Sequence, residues 1–375
     1  MRNRMPLLVL LVLAVPAFAA KRISVDQLEQ IVSSAHGKPD TKAAQQLYEL
    51  ELTERLSPAR LARAQSSLPG PASRQALLAI ADASAFLDLP AADIPANPAP
   101  GREAQDAMWD RTMEYADQAI AHLPNFFATR NTIRFEDTPS EPPHNTTETI
   151  KYAPLHSVGS ASATVLYRDG HEFIDSGDKP HKSFDPSDFE LSAAGEFGPI
   201  LATVLADSER NGLVWSHWEQ GPAGLMAVFR YSVSKEGSHY TVTFPNPDQD
   251  KQILPGYHGE IGINPQDGSI LRLTMVADLK PTDPGTTAGL MVEYGPVEIG
   301  GNTYICPVRS VALSLVWIVH GESNAMTGEH TSRGPLQTRV NDVAFTQYHL
   351  FRAEMRIVSD DAGAPSGATP STPRH

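Results

Sequence analysis

Cysteine is almost absent from this chain, which has a single one, Cys306, among 375 residues. One cysteine cannot form an internal disulfide, so the stability of the fold has to come from packing. Cys306 lies in the apolar stretch from Tyr304 to Pro307, where a small buried side chain is the usual role of an unpaired cysteine. The sequence therefore predicts a structural thiol.

The familiar catalytic and nucleotide-binding motifs are also missing. There is no Gly-x-Ser-x-Gly turn for a serine nucleophile, no phosphate-binding loop and no dinucleotide fingerprint. The sequence thus predicts no catalytic residue and no cofactor. Positive charge is scarce as well, with 30 Lys and Arg against 44 Asp and Glu. A net charge of −14 repels nucleic acid, so we expect no nucleic-acid partner.

Long hydrophobic runs are confined to the first segment of the chain. Arg2 and Arg4 precede an apolar run from Leu7 to Val15, and Ala17-Phe18-Ala19 follows. This order is typical of a signal peptide over residues 1–20 that is cleaved near Ala19. The run is shorter than the roughly twenty residues that a spanning helix needs. We therefore expect a periplasmic or secreted protein that is not an integral membrane protein.

Residues 21–125 carry repeated helix signals. Ser24 with Gln27 reads as a capping box for a helix that continues to Ala35. Further helices are expected from Thr41 to Leu50, from Pro58 to the Pro69-Gly70 pair, from Ala72 to Leu87, and from Glu103 to His122. A proline-rich linker, residues 94–101, precedes the last of them. The sequence predicts an N-terminal all-helical layer.

Residues 126–358 change to the two-residue alternation of strands, with short turns between them. Asp169-Gly170 is expected to close one hairpin, and strands are expected at residues 213–219, 225–233, 240–244, 260–263, 270–276, 290–294, 303–306, 308–318 and 345–358. One helix interrupts them, because Phe197, Ile200 and Val204 recur at helical spacing. The predicted fold is α+β, with a large curved antiparallel sheet that wraps at least one helix. Residues 359–375 lack large apolar side chains and are expected to be a disordered tail.

Two sets of residues carry a resemblance. The stretches from Phe126 to Arg130 and from Arg134 to Pro139 are similar to exported bacterial proteins of about this size whose function is not known. A second series resembles the LolA/LolB-like lipoprotein-carrier family over roughly residues 130–358 in its order of strands and turns: Gly259–Ile263, Gly268–Leu273, Val292–Tyr294, Gly300-Gly301, Tyr304–Pro307 and Asn341–Phe351. That resemblance implies an open half-barrel sheet that holds acyl chains on its concave face. The helical N-terminal region lies outside it.

A metal site is one interpretation of the strand at residues 213–219. Trp215, His217 and Glu219 alternate there, so we expect them to share one face. His217 and Glu219 are two ligand types that could begin a metal site, with His239 or His258 as a third ligand. The alternative is a packed polar and aromatic face under the helical layer, and the sequence favours it.

Three function classes follow from these observations. The leading one is a non-enzymatic protein that binds a lipid, an acyl chain or another hydrophobic ligand. Its groove would be lined by five apolar residues that would serve equally well as core: Leu225, Phe229, Leu271, Leu273 and Met291. The second is a scaffold that meets an envelope protein partner through the helical layer. The third is a metal-dependent hydrolase with His217 and Glu219 as its acid-base pair.

Overall fold

The structure is a computed structural model that describes residues 20–140, 151–175, 191, 195–222, 224–244, 250–324 and 328–351. Six α-helices lie in this part of the chain: Val25–Ser34 (α1), Asp40–Tyr48 (α2), Pro58–Ser67 (α3), Pro71–Ala83 (α4), Arg102–His122 (α5) and Pro199–Asn211 (α6). The strands are Lys21–Ile23 (β1), Leu50–Leu52 (β2), Phe126–Thr138 (β3), Ala153–Arg168 (β4), His171–Asp175 (β5), Leu213–Gly221 (β6), Gly224–Val233 (β7), Val242–Phe244 (β8), Lys251–Ile253 (β9), Gly256–Ile263 (β10), Ile270–Asp278 (β11), Gly285–Ile299 (β12), Asn302–Asn324 (β13) and Gly328–Leu350 (β14). The predicted α+β class is confirmed.

The N-terminal layer combines α1 to α4 with a small sheet. Ser24 caps α1 through the expected capping box, since its Oγ accepts from the backbone N–H of Gln27 and the Gln27 side chain accepts from the Ser24 N–H. The prediction of an all-helical layer was wrong, because β1 and β2 pair in parallel. Ile23 and Leu52 are in register there and bury their side chains in the same core as the helices.

Helix α4 has buried side chains on two sides. Leu77 and Ile80 belong to the core of the N-terminal layer, as their helical spacing predicted. Ala79 and the following Ala85 instead pack against the large sheet, where they meet Met291 among others. Small residues on the second side let the helix lie close to the strands. Helix α4 is therefore the element that joins the N-terminal layer to the sheet.

Ten strands form one antiparallel sheet in the order β5-β4-β3-β14-β13-β12-β11-β10-β7-β6. Short turns join most sequence neighbours, which forces antiparallel pairing. Asp169 and Gly170, between β4 and β5, both have positive φ angles of 53° and 81°, as a tight hairpin turn requires. The predicted hairpin at this position is confirmed.

The structure differs from the predicted strands at two places. Residues 240–244 were expected to continue the large sheet, but β8 pairs only with β9 in a separate two-stranded sheet among the described residues. Residues 303–306 and 308–318 were expected to be two strands, yet β13 runs through Pro307 without a break. Pro307 pairs with Tyr294 of β12, directly next to a register shift between Glu293 and Tyr294. A proline is tolerated where the hydrogen-bond ladder is already irregular.

Helices α5 and α6 cover the sheet on the side opposite α4. Met108 of α5 and Val204 of α6 share one core with Leu290 and Val292 of β12. Met291, between these two strand residues, points to the other side and packs with α4. The chain thus has three layers, with the sheet in the middle.

No helix within the described residues is both long enough and apolar enough to cross a membrane. The predicted signal peptide at residues 1–20 lies outside the described residues, except for Ala20, and the predicted tail at residues 359–375 lies wholly outside them.

Candidate functional site

The strand β6 contains a bulge that decides where its polar side chains point. Trp215 lies opposite Phe229 of β7, but His217 lies opposite Val228, so Ser216 has no partner in the ladder. The extra residue reverses the alternation. Trp215 therefore packs in the core under α5 and α6, whereas His217 lies on the opposite side of the sheet. The prediction that Trp215, His217 and Glu219 share one face was wrong for this reason.

Glu219 is the centre of a buried group of three charges. Its Oε1 accepts hydrogen bonds from Nη1 of Arg55 at 3.2 Å and from Nη1 of Arg272 at 2.5 Å. Its Oε2 accepts from Nη2 of the same two arginines at 2.7 and 2.8 Å. All three side chains are almost completely buried. Arg55 comes from the N-terminal layer and Arg272 from β11, so this Arg-Glu-Arg group fastens the layer to the sheet.

The positive charges of this group keep Glu219 ionised. Burial alone would favour the neutral carboxylic acid, but the hydrogen-bonded guanidinium groups of Arg272 and Arg55 hold the pKa of Glu219 well below its usual range. Nε2 of His217 lies 3.6 Å from Oε2 of Glu219, which is too long for a hydrogen bond. That Nε2 atom is buried and has no hydrogen-bond partner among the described residues, while Nδ1 contacts the Ser216 hydroxyl at 2.9 Å.

A cleft of about 530 Å³ opens beside this group. It lies between the segment at residues 85–89, which follows α4, and the strands β6, β7, β10 and β11. Its lining combines apolar and polar side chains, which include Ala85, Phe86, Leu87, Leu89, Val214, Val276, Arg55, Asp88, His217, Arg230, His258, Glu260 and Thr274. Sequence reasoning found His217 and His258 but missed the cleft, because its walls are far apart in the chain.

Two apolar residues of the cleft stay exposed. Leu87 is 39% exposed and Val214 is 68% exposed, although both are large hydrophobic side chains. They come from opposite walls, one from the N-terminal layer and one from the edge strand β6. An apolar surface that a fold leaves uncovered inside a concave site is typical of a binding site.

The five residues predicted to line a hydrophobic groove do not lie together. Phe229 and Leu273 are buried in the core that α5 and α6 cover. Met291 is buried on the other side of the sheet, next to α4. Leu225 and Leu271 are half-buried at the ends of their strands. The chain's own helices therefore occupy the sheet face that carries Phe229 and Leu273.

Three of the candidate metal ligands, Glu219, His239 and His258, are held by other partners. Both oxygens of Glu219 already accept two guanidinium hydrogen bonds each. Nδ1 of His239 lies 2.6 Å from Asp207, and Nδ1 of His258 lies 2.7 Å from Asp278. Within the described ranges, no three His, Cys, Asp or Glu side chains are grouped as a metal site would require.

A pair of carboxyl groups, Glu172 half-buried and Glu196 fully buried, lies where β5 meets the start of α6. Oε2 of Glu172 accepts from the backbone N–H groups of Gly195 and Phe197 at 3.1 and 3.3 Å. Burial, with the nearby charge of Glu196, raises the pKa of Glu172 to about 7. Glu196 accepts from the Ser310 hydroxyl at 3.2 Å and is fully buried. Neither carboxyl group was singled out from the sequence, since the two residues fall in unrelated local patterns.

Of these groups, the cleft is the one that combines accessible volume, exposed apolar walls and accessible charge. In comparisons with known proteins, no protein-family model, no curated protein and no solved structure matches the chain.

Proposed function

We propose that this is an exported, non-catalytic binding protein that holds a small hydrophobic ligand of the acyl-chain type in the cleft between residues 85–89 and the sheet. The observation that carries the proposal is the pair of exposed apolar side chains, Leu87 and Val214, on facing walls of a cleft of about 530 Å³. Small-molecule sites in proteins have volumes of about 300–1,000 Å³ and are lined mainly by apolar groups.

The energetics favour a ligand with an apolar body. Covering an exposed Val or Leu side chain yields on the order of 1 to 2 kcal/mol for each residue. Val214 and Leu87 would gain this only when something enters the cleft, because the fold itself leaves them uncovered. A polar ligand without an apolar part would not provide this stabilisation, because it would not cover the two side chains.

The site differs from the one that the sequence suggested. Phe229 and Leu273 lie under α5 and α6, so the proposed ligand lies on the opposite side of the sheet, next to Val214. A half-barrel curvature of the sheet around α6 and a periplasmic location are parts of the same proposal. The resemblance to lipoprotein carriers supports the open sheet but not the place of the ligand, because it implies a ligand on the concave face. The signal peptide that the sequence predicts over residues 1–20 supports the periplasmic location.

The test uses the full chain, purified from an exporting bacterial host without added lipid. Native mass spectrometry with solvent extraction would show whether an acyl compound is retained, and calorimetric titration with dodecanol would give the affinity. Val214→Trp, which fills the cleft from one wall, should weaken dodecanol binding by about tenfold or more. Val158→Trp is the matched control, because Val158 is an exposed valine on β4 outside the cleft.

A wild-type protein that retains no acyl compound and does not bind dodecanol would contradict the proposal. It would favour the second function class, a scaffold that meets an envelope partner. Equal loss of binding in Val214→Trp and Val158→Trp would place the ligand elsewhere on the protein.

A further inference from the structure

We infer that the cleft takes an amphipathic ligand with a carboxylate head group, which binds Arg230 in place of the chain's own Asp88. This inference rests on the proposed function, because the apolar body of such a ligand would lie against Leu87 and Val214. Arg230, on β7, has two acidic partners at the cleft. They differ greatly in how firmly they are held.

Glu260 is the fixed partner. Its Oε1 accepts from Nε of Arg230 at 3.1 Å, and its Oε2 accepts from Nη2 of buried Arg272 at 3.3 Å. Its backbone N–H also donates to the hydroxyl of Thr274 at 2.8 Å. Only 19% of the Glu260 side chain is exposed. The Arg230 guanidinium is therefore anchored at one edge whether or not a ligand is present.

Asp88 is the replaceable partner. Its Oδ1 accepts from Nη2 of Arg230 at 2.7 Å, yet 88% of the Asp88 side chain is exposed to solvent. An ion pair this exposed contributes roughly 0 to 1 kcal/mol. The backbone of Asp88 is held separately, since its carbonyl oxygen accepts from the N–H of Arg55 at 2.8 Å. The side chain can thus turn away without moving the wall of the cleft.

The exchange keeps two carboxylates on Arg230, because one leaves Nη2 and another takes its place, while the ligand adds one negative charge to the cleft. The ligand has an advantage that Asp88 lacks. Its apolar body covers the exposed walls and excludes water from the new ion pair, and a less hydrated ion pair is stronger. The Asp88-Arg230 contact spans from one wall of the cleft to the other. It therefore acts as a weak closure that an anionic head group opens by competition.

The experiment compares dodecanoate, below its critical micelle concentration, with dodecanol by calorimetric titration of the full chain. Asp88→Asn removes the competing charge, so it should raise the affinity for dodecanoate about three- to tenfold more than it raises the affinity for dodecanol. Asp26→Asn is the matched control, because Asp26 is an exposed aspartate that pairs with Arg60 at 2.7 Å away from the cleft. It should change neither affinity.

The wild type should bind dodecanoate more tightly than dodecanol, because Arg230 pairs with the carboxylate. Arg230→Gln should remove this difference in affinity. If both ligands bind but Asp88→Asn leaves the dodecanoate affinity unchanged or lowers it, the inference is wrong and the proposed function stands. If neither ligand binds the wild type or the variants, both the proposed function and the inference are wrong.

Discussion

Replacing Glu219 by Gln should destabilise the protein far more than the loss of an ordinary ion pair. The carboxylate of Glu219 accepts four hydrogen bonds from the guanidinium groups of Arg55 and Arg272, with donor-acceptor distances of 2.5 to 3.2 Å. A glutamine side chain has one oxygen and one NH2 group, so two of the four donors would face another donor. Arg55 would also lose its carboxylate partner, and Arg272 would keep only the contact with Glu260 at 3.3 Å.

Removing one member of a buried charge group costs about 3–5 kcal/mol, because the remaining charges stay desolvated. Glu219→Gln falls in this class, and we expect that range for the loss in free energy of unfolding. Arg55→Met should cost less, about 1–3 kcal/mol, since Glu219 keeps both hydrogen bonds from Arg272. The order of the two variants is as much a part of the prediction as their size.

Urea unfolding of the full chain, followed by circular dichroism, gives the free energies by linear extrapolation. Hydrogen exchange at residues 53–57 and 213–221 then shows whether the N-terminal layer separates from the sheet before the sheet unfolds. Glu51→Gln is the control, because Glu51 pairs with Arg22 at 3.6 Å and both side chains are more than half exposed. It should stay close to wild type. Equal stability of Glu219→Gln and Glu51→Gln would refute the reasoning.

Two further predictions concern buried titratable groups. The pKa of Glu172 is about 7 in the fold against an ordinary 4.5, so the native state binds more protons in this window and stability falls as pH rises through it. Glu172→Gln should therefore increase the free energy of unfolding above pH 7 by up to roughly 3 kcal/mol, and much less near pH 4.5. Melting temperatures measured at the two pH values test this, and an equal increase at both pH values would contradict it. Burial raises the pKa of Cys306 to about 12, so an aromatic disulfide reagent should label it slowly in the native protein and rapidly in urea. Equal labelling rates would show that the thiol is accessible.

Signals carried by adjacent residues predicted much of the fold. The Ser24 capping box, the Asp169-Gly170 turn and the helix that contains Ile200 and Val204 are all where the sequence placed them. Each depends on contacts within a few residues, so the local pattern contains the information. The antiparallel pairing of neighbouring strands followed from the shortness of their turns.

What the sequence did not predict depends on distant parts of the chain. Ile23 and Leu52 pair across two helices, and three residues of alternation are too few to indicate a strand. Arg55 and Glu219 are 164 residues apart, so no local sequence pattern around either residue indicates its contact with the other. His217 and Glu219 were identified as unusual, but the bulge beside them could not be read from alternation, which assumes that every residue has a partner.

That bulge has a consequence for changes in chain length. Because Ser216 lies opposite no residue of β7, a chain that lacked it would pair Trp215 with Phe229 and His217 with Val228 as now. Each side chain of β6 would keep its side of the sheet, and the loss would be confined to the hydroxyl contact with His217. Deletions inside a strand normally exchange its two faces. At Ser216, relatives of this protein could gain or lose a residue in mid-strand while the core and the cleft stayed as they are.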